Sequence, residues 1–194
     1  LYVADWFLAL TLEGRAFACN SGIATTPVTL NATYATAEQD LFLHVPSSLA
    51  VIPVYLFSAA EDTGTAQVVD LFAVASATGD ATVTGTALTE QAMRMDAPIA
   101  SGVTATGVVT AAGTETETGN FVEFWRPVAG FAADDFNGSA AYTGIGFAHA
   151  WSAHNAVCPP VVAAGGSVSL FASYQAGIAF NGAVWVELPT SAIV

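Results

Sequence analysis

Residues 165–189 read GGSVSLFASYQAGIAFNGAVWVELP: two apolar runs flank a more polar stretch, and one residue, Glu187, carries a charge. In the last run Val184, Val186 and Leu188 fall on one side of an extended chain, and Ala183, Trp185 and Glu187 on the other. That period of two belongs to a strand. Gly-Gly at the start and AFNG at 179–182 offer the residues that turns prefer, so the segment reads as a strand pair with a turn at 179–182.

The same grammar recurs along the chain. Strands are expected at 3–12, 28–34, 41–45, 50–59, 66–76, 81–88, 102–112, 120–128, 139–151, 167–175 and 183–189. Turn-forming EDTG (61–64), ATGD (77–80), AAGTETETG (111–119) and DDFNGS (134–139) separate several of them. TEQAMRMDA (89–97) is the one segment that reads as a short helix, with Thr89 as its cap. A chain of 194 residues with no low-complexity linker and no fixed repeat is expected to form one domain, 1–194. About eight to eleven strands with at most one short helix mean an all-β sandwich or barrel.

Hydrophobic residues make up 54% and charged residues 10% of the chain, and the net charge is −13. The charge reflects missing base rather than abundant acid: lysine is absent, and Arg15, Arg94 and Arg126 are the only formal cations besides histidine. Three arginines cannot neutralise a run of phosphates, so nucleic acid is excluded as a principal partner. Attraction to an anionic membrane fails for the same reason. No uninterrupted apolar run reaches the ~18–20 residues a spanning helix needs, and the first fifteen residues carry no basic leader pattern. Strand edges without lysine invite pairing with other chains. Many strands also look apolar on both faces, and such faces need a cover. Copies of the same chain in a closed oligomer, or neighbours in a lattice, are the expected cover.

The Gly-Gly turn, SVSLFASYQAG and AVWVELP resemble the last two strands of trimeric single jelly rolls of the tumour-necrosis-factor and complement-C1q type, and the jelly-roll proteins of tailed-phage virions. FLHVPSSLAVIPVYLFSAAEDTGTAQVVDLFAVAS is similar to a pattern of such phage structural proteins, in which one strand ends in Val-Pro, the next carries Ile-Pro, and an acidic-Gly turn follows. The resemblance spans roughly residues 25–76 and 160–189. It implies a jelly-roll sandwich that forms homotrimers through aromatic-lined strands and serves in a virus particle beside other capsid proteins, as a capsid or capsid-decorating subunit. Phe171, Tyr174 and Trp185 are the aromatic anchors this reading nominates. Trp125 and Arg126 join them because interfaces favour these residue types, with Arg126 pairing an acid of a neighbouring subunit or lying exposed.

Other chemistry is weighed residue by residue. Asp134, Asp135 and Asn137, followed by Gly138, could supply oxygen ligands to calcium, but the spacing of a full calcium loop with its closing glutamate is missing. His149, His154 and Cys158 fall within ten residues, without the spacing of a zinc site. Glu123 and Glu187 are the strand-borne carboxylates a glycosidase would need, and nothing in the sequence brings them together. No nucleophile elbow, phosphate loop or dinucleotide fingerprint occurs, so no enzyme and no cofactor beyond that calcium is expected. The alternative is a carbohydrate-binding sandwich of a secreted or surface protein, with Trp125 and Trp151 as its platform. Cys19 and Cys158 could pair, but two buried free thiols are expected.

Overall fold

The computed structural model describes residues 5–61, 67–79, 81–111, 119–131, 147–156, 158–173 and 177–193. Among them lie one α-helix, α1 (Trp6–Leu12), and the strands β1 (Ala16–Ser21), β2 (Val28–Thr29), β3 (Leu41–His44), β4 (Leu49–Glu61) and β5 (Gln67–Ser76). Then come β6 (Thr84–Ala87), β7 (Gln91–Ala92), β8 (Thr104–Ala111), β9 (Phe121–Trp125) and β10 (Val128–Phe131). The last are β11 (Phe147–Ser152), β12 (Val162–Ala163), β13 (Ser167–Ser173) and β14 (Ile178–Pro189), followed by a single 3-10 turn at Thr190–Ala192.

These strands form two antiparallel sheets. One runs β11-β4-β14-β1-β7, with β12 also on β4 and β2 on β14; the other runs β10-β5-β13-β3-β8-β6, with β9 also on β5. Taking β1, β3, β4, β5, β9–β10, β11, β13 and β14 as eight successive strands, the first sheet holds them in the order 1-8-3-6 and the second in the order 2-7-4-5. That is the strand order of a jelly roll, with β6, β7 and β8 added between the fourth and fifth strands. The expected all-β sandwich is therefore present.

The opening segment of the sequence behaves differently from its reading. β13 and β14 do not pair with each other; they belong to opposite sheets. AFNG lies inside β14, not in a turn. Its glycine is there for close approach, because a Cβ on Gly182 would run into the Phe57 ring and the Asn20 side chain. The true tight turn precedes β13, where Ala164 and Gly165 both take positive φ, 44° and 86°.

The helix is also in another place. The sequence pattern predicts a strand over 3–12 and a helix over 89–97, but Trp6–Leu12 is helical, and 89–97 contains only the two-residue β7 and bends. The signals are local: the Asp5 carboxylate accepts the Phe7 amide at 3.1 Å as an N-cap. Gly14, at φ 77°, closes the far end, with its amide on the Thr11 carbonyl and that of Arg15 on Leu10. Phe7 and Leu10, three apart, then pack on Ala16, Val54 and Val186 of the first sheet's outer face. Part of the cover expected from neighbours thus comes from the chain itself.

Between the sheets the core has two lobes. The larger gathers Phe17, Leu41, Leu43, Leu56, Trp151, Leu170 and Trp185; the smaller gathers Leu30, Ala60, Val69, Leu71, Ala172 and Ala179. A row of polar side chains separates them on the first sheet: Ser21 opposite Asn181, Asn181 opposite Ser58, and Ser58 opposite His149. Ser21, Asn181 and Ser58 are almost wholly buried. Among the described residues, the hydroxyls of Ser21 and Ser58, both amide atoms of Asn181, and Nε2 of His149 have no hydrogen-bond partner. Such atoms normally recruit internal water.

Pro53 sits inside β4, a central strand, where a missing N–H is usually costly. The register slips there, from Val184 opposite Tyr55 to Trp185 opposite Pro53. On the other edge of β4, β11 ends opposite Tyr55 and β12 begins opposite Val51. The proline falls at a break in the ladder.

Candidate functional site

Among the described residues, the outer face of the second sheet carries a cluster of aromatic and charged side chains. Phe72 of β5 and Phe171 of β13 stack with centroids 5.1 Å apart, and Tyr34, from the loop before β3, closes on both at 5.2 and 5.3 Å. The Arg126 guanidinium lies 4.5 Å above the Phe72 ring. It donates from Nε to Glu123 Oε1 at 2.6 Å, from Nη2 to Glu123 Oε2, and from Nη1 to Asp70 Oδ2 at 2.7 Å. The paired arginine holds the Glu123 carboxyl below its usual range, and Glu123 in turn raises the Arg126 guanidinium.

Strand alternation alone would put Glu123 and Arg126 on opposite faces. The register of β9 on β5 slips between Ala73 and Val74, so that Trp125 faces Ala73 and Glu123 faces Val74. Phe124 and Trp125 both pack against the core, and β9 ends before Arg126. The slip frees the arginine to swing back over Glu123. Tyr34, Phe72, Phe121, Glu123, Arg126 and Ser173 then line a cleft of about 300 Å³. A larger groove, about 510 Å³, runs along Asn20–Val28 and Thr86–Gln91, but no charged side chain lines it.

The nominated interface anchors end elsewhere. Trp185 and Phe171 are fully buried within the single chain, Trp185 stacked on Phe17 and Phe171 on Phe72. They cannot reach a neighbouring subunit. Trp125 is half-buried against the core, and Arg126 satisfies acids of its own chain rather than a partner's. Trp151 is buried edge-on to Phe124, so Trp125 and Trp151 form no exposed platform. Tyr174, Asp134, Asp135 and Asn137 lie outside the described residues. Among the described residues no group of three or more His, Cys, Asp or Glu gathers as metal ligands would. His154 instead sits 3.3 Å from Asp5 at the helix cap.

Glu187 and Glu123 stay apart. Glu187 faces inward and accepts from the Trp185 indole at 3.0 Å, the Gly102 amide at 3.0 Å and the Ser101 hydroxyl, pinning the 101–103 loop to β14. Both cysteines are free, Cys19 buried and Cys158 exposed, which corrects the expectation of two buried thiols. Tyr34 and Phe121 were missed by sequence reasoning; residues from a loop and an edge strand meet only through the fold.

One stretch of exposed apolar surface lies at α1. Its seven residues, WFLALTL, carry no charge. Leu8 and Leu12 are 51% and 63% exposed, and Met95 and Ile99 beyond them 77% and 54%. Arg94 ties the two segments by donating from Nη1 to the Leu12 carbonyl at 2.8 Å, and Ile99 packs beside Gly14. Comparison with protein-family models, curated proteins and solved structures finds no match to the chain.

Proposed function

We propose that this chain is a structural subunit that assembles with copies of itself, as a capsid or capsid-decorating protein of a phage-like virus particle. One observation carries the reading: an uncharged helix lies on the outside of the sandwich with Leu8 and Leu12 turned to water, continued by Met95 and Ile99. A patch of this kind marks an association surface. No lysine stands there to discourage contact, and the charges that border the patch are tied in the ion pairs Glu13–Arg15 and Arg94–Asp96. The jelly-roll strand order is compatible with shell building, although a fold by itself does not dictate a role. The assembly is a homotrimer in this reading, its contacts made by α1 and 93–99 in place of the aromatic anchors first nominated. The acidic exterior keeps finished assemblies apart.

Size-exclusion chromatography with light scattering tests it. The wild-type chain should run as a discrete oligomer at micromolar concentration, and the Leu8→Glu, Leu12→Glu double variant as a folded monomer. A monomeric wild-type protein, or an oligomer indifferent to both substitutions, removes the basis for the proposal.

A further inference from the structure

We propose that the cleft around Arg126 binds a neutral saccharide. The inference is independent of self-assembly, since the cleft lies on the outer face of the second sheet and the helical patch on that of the first.

The ligand class follows from what the cleft offers and refuses. Phe121 is 46% exposed at its mouth, and Tyr34 stands over Phe72 and Phe171. Aromatic faces of this sort accept the apolar C–H side of a sugar ring. Beside them are fixed polar groups. Arg126 spends one N–H on each of its three hydrogen bonds to Glu123 and Asp70, leaving two of its five for a ligand. Each Glu123 oxygen takes one N–H from Arg126 and keeps acceptor capacity for a hydroxyl.

The charges exclude the other small-molecule classes. One guanidinium sits between two carboxylates, so the local sum is negative and a phosphate or acidic sugar is repelled. A cationic ligand would compete for the Phe72 face with Arg126, which already occupies it. A wholly apolar ligand would strip water from three charged groups. A polyol ring satisfies both halves, and about 300 Å³ admits one or two such rings. Because three hydrogen bonds and a ring contact pre-set the guanidinium, little side-chain freedom is lost on binding.

The test is a glycan array of neutral and sialylated glycans probed with the full chain, then saturation-transfer NMR with the best neutral oligosaccharide. We expect binding to neutral glycans with a dissociation constant of about 0.1–1 mM. Phe121→Ala and Glu123→Gln should each weaken it by about tenfold. Tyr34→Ala should do the same, and Phe121→Ala, at an exposed ring, guards against a folding artefact in that variant. No neutral glycan bound at several millimolar, a preference for sialylated glycans, or binding unchanged in the Phe121→Ala and Glu123→Gln variants would overturn the assignment. Light scattering of the same variants keeps the two proposals distinct, because none of these residues lies on the helical patch.

Discussion

Cys19 faces the interior opposite Ala183, where burial pushes its thiol up to about 12, and Cys158 is exposed. A thiolate is the reactive form, so the two should differ in rate by orders of magnitude. A maleimide added to the folded protein should modify Cys158 alone, with Cys19 following only in denaturant, as peptide mass spectrometry would show. Asp40 behaves differently. Burial pushes its carboxyl up to about 7, against the pull of the Asn31 and Ala172 amides that donate to it. Between the ordinary value of 3.8 and about 7, the folded protein keeps a proton that the unfolded chain has released. Stability therefore falls as pH rises through that window and levels off above it, by at most ~1.4 kcal/mol per unit from this group. Denaturant unfolding near pH 4.5, 6 and 8 should show the decline in the wild type and a flatter profile in Asp40→Asn. Equal slopes in both would acquit Asp40.

At the scale of elements, Gly182 shows how one residue decides a strand. Gly182→Ala raises strand propensity in general, yet here it forces the Phe57 ring and Asn20 aside, and should cost ~1–3 kcal/mol in thermal or chemical unfolding. Stability equal to wild type would mean that Phe57 can rotate away freely. The long strands β4 and β5 were legible in the sequence, because turn residues bound their largely apolar runs. α1 was not, since a near-continuous apolar run has no period to separate helix from strand, and the decisive marks were single residues, Asp5 and Gly14. Asn-Gly at 181–182 misled for the opposite reason: turn chemistry and close packing both ask for glycine. At the cleft, Arg126 and Glu123 were visible as residues, but the register slip that joins them was not.

For the whole molecule, the placement of consecutive strands in opposite sheets explains why local reading stops short of topology. The sequence between β13 and β14 looks like a hairpin, and only the competition of β4 and β1 for the edges of β14 sends it to the other sheet. The buried polar row is a property of the same scale, because its four members come from β1, β14, β4 and β11. Ser58→Ala removes a hydroxyl that has no partner among the described residues, and should be neutral or stabilising by up to ~1 kcal/mol. Leu56→Ala, one step along the same face, should cost ~2–5 kcal/mol. A loss on Ser58→Ala as large as that from Leu56 would show that the hydroxyl is anchored through water.

That row also gives the sandwich a fault line. Greasy contacts cannot propagate across it without interruption, so the end holding Leu30, Ala60 and Ala179 should breathe on its own while the end holding Trp185 and Leu170 stays shut. Deuterium uptake would then split into two kinetic classes along single strands, with Ala60 and Ala179 exchanging ahead of Leu56 and Ala183.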